Sequence, residues 1–353
     1  MAFTLLHVHT QYSLLESTIK VSDLVSKTKE LGMSSVAMTD HGNMFGAVDF
    51  YLAAKAAEIK PIIGCEIYYT TGSRLQKGAS GKGKRVVLSA EDEEHARNYR
   101  LVLLCKDAEG YRNLCEIVTR GYSEGFHFRP RADRDLIQKY SKGLVALSSG
   151  LKGEVAFHCA QARPDRGEQA ALWLRETFKD DFYLEIQENG LPPQAQANSL
   201  IQELAGRHSI PLVATAEAHY LSPEQGAAQE VLMCIAAGKN LDETKAVRLT
   251  NDEFWFKDEA TMRKQFHWAE EAVDNTNRIA ELCNFSFKLK DDKGRQIYHL
   301  PDYRPDQWAV GELSSDPVEL PLHTQEQIKL AKANAELSYV DGKFSADGYL
   351  RVY

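Results

Sequence analysis

Histidine and carboxylate recur in short, regularly spaced groups along this chain. "LLHVHTQYSLLES" holds His7 and His9 on either side of one valine, with Glu16 shortly after. If Phe3–Val8 is a strand, its side chains alternate between faces, so His7 and His9 point the same way. "MTDHG" supplies Asp40 and His41, "IGCEIYY" sets Glu66 inside an otherwise apolar run, and "TAEAHY" repeats the alternate spacing with Glu217 and His219. Each group has an ordinary reading: satisfied histidines on a half-buried sheet, a helix cap at Asp40, a half-exposed acid at Glu66. Taken together they ask for more, because burying imidazoles and carboxylates side by side costs on the order of several kcal/mol unless they pair or bind a metal. Mixed His/carboxylate ligation suits Zn²⁺, Mn²⁺ or Fe²⁺.

The elements that must position these residues alternate between short apolar runs and longer amphipathic ones. Strands are expected at Phe3–Val8, "SSVAMTD", "KPIIGCEIYYT", "YRLVLLC", "GLVALSSG", "FYLEIQENG" and "IPLVATAEAH". Helices fall between them, the first capped by Ser22 or Asp23 and stopped at Gly32. A β–α alternation sustained over about 220 residues predicts parallel strands with covering helices, as a barrel or a doubly wound sheet. The candidate residues all lie at the carboxyl ends of strands, where α/β barrels place their chemistry. Beyond Tyr220 the pattern changes to helices at "EVLMCIAAGKNL" and "AVDNTNRIAELCNF", with a hairpin at "VRLTNDEFWFK" between them. From about Lys290 the chain turns polar, and Gln307–Tyr353 carries one weak helix around "TQEQIKLAKANAEL".

Composition narrows the classes. The 353 residues carry a net charge of −8, so any contact with nucleic acid has to be local. No apolar run reaches the roughly 20 residues that span a bilayer, and the first residues do not read as a signal peptide. The six cysteines form no CxxC pair, which predicts buried, reduced thiols in a cytosolic protein.

Five stretches carry a resemblance: "LLHVHTQYSLLES", "MTDHGNMFGAVDFY", "KPIIGCEIYY", "GLVALSSGLKGEVA" and "IPLVATAEAHYL". They resemble the PHP (polymerase and histidinol phosphatase) domain, in the form found at the N-terminus of the bacterial replicative DNA polymerase III alpha subunit. The likeness runs from about Leu5 to Tyr303 and takes in "GYRNLCEIVTRGYSEGF", "RPRADRDLI", "NGLPPQ" and "EEAVDNTNRIAELCN". It implies a distorted (βα)₇ TIM-like barrel over residues 1–290. A small helical or irregular segment over 291–353 would follow, as a linker or a truncated continuation toward a polymerase region. The family site holds up to three metals. Carried over, His7, His9, Glu66 and Glu217 form one position, and Glu16, His41 and His219 a second. Asp40, His41 and Arg131 become the catalytic candidates, with Arg129 and Arg131 of "FHFRPRADR" suited to holding a phosphate.

Two departures set this chain apart. Arg100 stands where the family usually has His, and Gly150 where it has Cys or His. Arginine cannot shed its proton to ligate a cation, and glycine has no side chain. The third metal is therefore expected to be absent, leaving one or two divalent ions (Zn, Mn or Fe) or none. The Arg100 guanidinium is expected in the vacated place, paired with Glu66, against the alternative that it turns to solvent. The resemblance implies a bacterial, cytoplasmic replication module, mainly structural. Its expected partners are the rest of an alpha subunit, a proofreading exonuclease subunit and DNA; the basic loop "LQKGASGKGKR" reads either as a surface near DNA or as a solvated loop, and the acidic net charge lends the first no support. The alternative is an active metal-dependent phosphoesterase with 3′–5′ exonuclease-like activity. A free-standing histidinol-phosphate phosphatase fits poorly, because the polymerase-type segments would have no role. Polymerisation itself is not expected, since the resemblance stops short of the palm and fingers.

Overall fold

A computed structural model describes residues 3–76, 97–241, 253–290 and 293–295, with the backbone of 339–340 and 343–344. Contacts divide the chain into two units, Met1–Phe287 and Lys288–Tyr353. The basic loop beyond residue 76, the first half of the expected 247–257 hairpin and the helix expected near 324–337 lie outside the described residues.

The first unit runs α1 (Val21–Glu30), β1 (Ser35–Met38), α2 (Ala47–Ala56), β2 (Lys60–Thr70), β3 (Tyr99–Cys105), α3 (Ala108–Ser123), β4 (Arg131–Asp133), α4 (Arg134–Lys139) and β5 (Leu144–Leu147). It continues through α5 (Glu154–Ala160), α6 (Pro164–Phe178), β6 (Phe182–Gln187), α7 (Pro192–His208), β7 (Leu212–Thr215), α8 (Gly226–Ala237), α9 (Glu259–Gln265) and α10 (Glu270–Leu282). In the second unit, β8 (Tyr339–Val340) pairs antiparallel with β9 (Lys343–Phe344). The architecture of the first unit is mixed α/β around a curled sheet, in the order β1-β2-β3-β5-β6-β7, with β4 paired to β2. Every residue of β1, β3, β5 and β6 is buried, as expected of strands covered on both faces. None of the described helices is long and apolar enough to cross a membrane.

Three local expectations change. Phe3–Val8 is not a regular strand but an extended segment tied at separate points to both edges of the sheet. Leu5 bridges Val36 within β1, and Val8 bridges Ala218 just past β7. The Thr39 N–H donates to the Val8 carbonyl at 2.9 Å and the His9 N–H to the Ala218 carbonyl at 2.9 Å. Second, β3 runs antiparallel to both neighbours, β2 and β5. A strand apolar on both faces reads the same in either direction, so its sequence could not show this. Third, Ser22 and Asp23 do not cap α1. Lys20 holds that position without a side-chain bond, and Asp23 lies in the first turn, where its charge suits the helix dipole. The helix does stop at Gly32, whose φ of +67° suits glycine.

The reversal of β3 has a direct consequence for the centre. Its second residue, Arg100, pairs in register with Tyr68 near the end of β2. A parallel β3 would have put Arg100 at the opposite rim. The two strands approach closely at Gly64, where a Cβ would lie 2.6 Å from the Leu103 carbonyl oxygen and 2.7 Å from Leu104 Cδ2. Gly64→Ala should therefore cost about 1–3 kcal/mol through overpacking. Urea unfolding would read that cost as a lowered midpoint with an unchanged slope.

Candidate metal centre

Glu66 lies in the middle of the centre, fully buried on a strand of Ile, Cys and Tyr. Three imidazoles surround its carboxylate. His7 Nε2 is 3.4 Å from Oε1, His9 Nε2 is 3.8 Å from Oε2, and His41 Nδ1 is 2.7 Å from Oε2. None of these three buried nitrogens makes a hydrogen bond among the described residues, despite the short approaches. Arg100 and Ser149 do bond to Glu66, with Nη1 donating at 3.0 Å and Oγ at 2.6 Å.

The far side of each ring explains its orientation. His7 Nδ1 lies 2.7 Å from Glu185 Oε1, which fixes the proton on Nδ1 and turns Nε2 inward. His9 Nδ1 lies 3.2 Å from Ser13 Oγ, and that hydroxyl donates to Asp40 at 2.6 Å. His219 Nδ1 donates to the Glu16 carbonyl at 2.7 Å. His9 is the middle of a ring stack, with centroids 3.9 Å from His41 and 4.4 Å from His219. Outer partners of this kind are what hold metal-ligating histidines in place.

Charge follows from burial and neighbours. Burial, with the Arg100 charge, lowers His41 to about 4, and burial with His41 and His219 holds His9 well below the ordinary value. Both rings are therefore neutral and able to ligate. Burial opposes the charged form of His7, but Glu185 and Glu66 outweigh it and raise its pKa. Burial opposes Glu66 as well, yet Arg100, His7 and His41 keep it ionised. Glu217 is held at about 2: burial works against its charge and the His219 bond overrides it.

Two ligand sets result, His7/His9/Glu66 and His9/His41/His219, each with its donor atoms within 4.8 Å of one another. The structure thus brings five of the expected residues together, with His9 shared between the sets. Glu16 stands at the edge, Oε2 3.1 Å from His41 Nε2 and Oε1 2.9 Å from Arg129 Nη2. Glu217 faces Arg100 at 3.7 Å and His219 at 3.7 Å, and it belongs to neither set. Asp40 is buried one layer back, accepting from the Thr10 N–H at 2.6 Å and the Thr10 hydroxyl at 2.8 Å, so it fixes the loop that carries His9. Arg131 does not reach the centre. It is buried in β4, where its guanidinium donates to the carbonyls of Gly125 at 3.2 Å and Gln76 at 2.9 Å. Its neighbour Arg129 lines the cavity instead.

Arg100 faces inward. Besides Glu66, its Nη1 lies 3.3 Å from His41 Nε2. The place beside Gly150 is also filled, since a Cβ there would lie 1.9 Å from Gln187 Oε1. Gln187 in turn donates to Glu185 at 2.8 Å. The sequence reading passed over Glu185, Gln187 and Lys152. Glu185 carries the same signal as Glu66, an acid inside an apolar strand. Above the centre opens a cavity of about 530 Å³, lined among others by His41, Arg100, Lys152, Gln187, Glu217 and His219.

Residues 6–189 match the family model of the PHP domain. The chain belongs to the PHP domain family. It is 38% identical over 308 residues to the DNA polymerase III subunit alpha of Aquifex aeolicus (strain VF5), covering 85% of this chain and 26% of that protein. The corresponding subunit of Deinococcus radiodurans is 39% identical over 306 residues, covering 85% and 22%. This PHP chain therefore spans about a quarter of the length of these curated relatives. Among solved structures, an amidohydrolase from Chromobacterium violaceum superposes with a TM-score of 0.35 at 10% identity, over 62% of this chain and 88% of that one, too loosely to bear on the site.

Two substitutions test the centre. Removing one partner of a buried ion pair strands the other charge, so Arg100→Met in chelator should lose about 3–5 kcal/mol of stability, with part of the loss restored by added Zn²⁺. Glu185→Gln should weaken metal affinity about 10–100-fold, read by competition with a chromogenic chelator.

Proposed function

We propose that this chain is the PHP module of a bacterial replicative DNA polymerase, acting in the cytoplasm. In this reading residues 1–290 form a distorted (βα)₇ barrel and 291–353 lead toward the polymerase region. Its main work is structural: to brace the rest of the alpha subunit and to offer a seat for a proofreading exonuclease subunit. The relatives named above support the context. The observation that carries the structural reading is the Arg100 guanidinium, a permanent cation 3.0 Å from Glu66 and 3.7 Å from Glu217, with Gln187 filling the space beside Gly150.

A second reading rests on the buried imidazole nitrogens of His7, His9 and His41, which lack hydrogen bonds among the described residues. The neutral nitrogens of His9 and His41 fit a divalent ion, His7, oriented by Glu185, would release its Nε2 proton on binding one, and the ionised carboxylate of Glu66 fits as well. His7, His9 and Glu66 would hold one ion of the Zn, Mn or Fe type, and His9, His41 and His219 are the next set. An ion bound there would supply Lewis-acid polarisation of a phosphoester and a more acidic water. The chain's own part is to orient. Glu185 holds His7, the Asp40–Ser13 pair holds His9, and Arg129 and Lys152 offer positive charge to a phosphate from the cavity wall. Together these make a metal-dependent phosphoesterase acting on DNA ends the alternative activity.

Elemental mass spectrometry separates the readings. On the structural reading the purified chain carries at most one equivalent of Zn, Mn or Fe, lost in His7→Ala/His9→Ala, and releases no nucleotide from single-stranded DNA. Arg100→His should then raise uptake, and Gly150→Cys should add to it only when Gln187→Ala clears the space. Two equivalents in the unaltered chain, together with metal-dependent nucleotide release, would establish the phosphoesterase instead.

A further inference from the structure

The turn after α3 spends conformational energy on an exposed aromatic. His127 N–H donates to the Arg129 carbonyl at 3.0 Å and closes a tight turn with Phe128 at its tip. Phe128 has a φ of +60°, a left-handed conformation that is costly for a bulky side chain and natural for glycine. Its ring is 82% exposed, so burial does not offset the cost. Strained backbone of this kind clusters at active sites and ligand clamps.

The surroundings say what kind of site. Two residues back, Phe126 stacks on Tyr122 with centroids 6.2 Å apart and planes 25° from parallel, and both residues are a little under half exposed. One residue on, Arg129 turns into the cavity wall, 2.9 Å from Glu16 and 5.5 Å from the Tyr68 ring centre. The same wall offers the Lys152 ammonium and the apolar side chains of Leu15, Leu191 and Phe254. Flat aromatic faces therefore stand outside the cavity and cations inside it, joined by adjacent residues of one turn.

We propose that the Phe126–Arg129 turn is a stacking platform for the bases of a single-stranded nucleic acid whose terminal nucleotide enters the cavity. Every base has a π-face, so stacking on Phe126 and Phe128 needs no sequence, while Arg129 and Lys152 meet the phosphates. The separation of platform from cavity calls for a ligand longer than one nucleotide. A duplex keeps its base faces covered and cannot use the platform. The inference rests on the DNA-facing side of the function proposed above, and it needs binding only, not hydrolysis.

Fluorescence anisotropy of a labelled oligothymidylate about 12 nucleotides long, titrated with the full chain in chelator, tests it. Phe126→Ala/Phe128→Ala should bind about tenfold more weakly or worse. Phe45→Ala/Leu52→Ala, which removes exposed apolar groups on the α2 side, should bind like the unaltered chain. Phe128→Gly should lose affinity without a fall in unfolding temperature, because glycine relieves the turn. Equal affinity in the platform variant would overturn the platform while leaving the DNA reading standing. Equal affinity of the unaltered chain for a duplex of the same length would also overturn it. An unaltered chain that takes up metal yet binds no oligonucleotide would overturn the DNA reading along with the platform.

Discussion

A single buried carboxylate organises this curled sheet. Glu66 sits in the middle of an eleven-residue strand whose other side chains are nearly all buried, so its charge must be answered from within the protein. The answers arrive from four directions: Arg100 from β3, Ser149 from the turn after β5, His41 from the end of β1 and His7 from the N-terminal segment. Each contributor is in turn constrained. The segment bearing His7 and His9 is pinned to both sheet edges, and β3 runs backwards so that its second residue reaches the right rim.

The outer layer shows the same economy. Glu185, Ser13 with Asp40, and the Glu16 carbonyl each accept a hydrogen bond from one imidazole N–H, and so decide which nitrogen faces inward. Removing any of them would leave the ring in place but free to present the wrong nitrogen. Gln187 links this layer to the losses in the inner one, since it both bonds Glu185 and occupies the space beside Gly150.

Much of this was legible in the residues. Alternation within "HVH" and "EAH" correctly put His7 with His9 and brought Glu217 near His219, because side chains repeat every second residue in extended chain whether or not a full ladder forms. Arg100 as the partner of Glu66 was also readable, from a fixed cation standing where the related domains keep a ligand. The direction of β3 was not, because buried strands carry no polarity in their composition. Arg129 and Arg131 could not be told apart by sequence either. They are two residues apart, and the three-residue strand that buries one and frees the other is too short to leave a pattern. Glu185 was visible by the same signal as Glu66 and was passed over, since nothing in its own stretch names its partner across the sheet.

The guanidinium beside Glu66 is bonded to the chain, and that separates it from any ion. A dissociable cation occupies its site according to its concentration outside, and a chelator can strip it away. Arg100 is present at one per molecule under all conditions, at an effective concentration set by β3 rather than by the surroundings. Glu66 therefore keeps a counter-charge when free divalent ions are scarce, and this ion pair does not depend on metal supply.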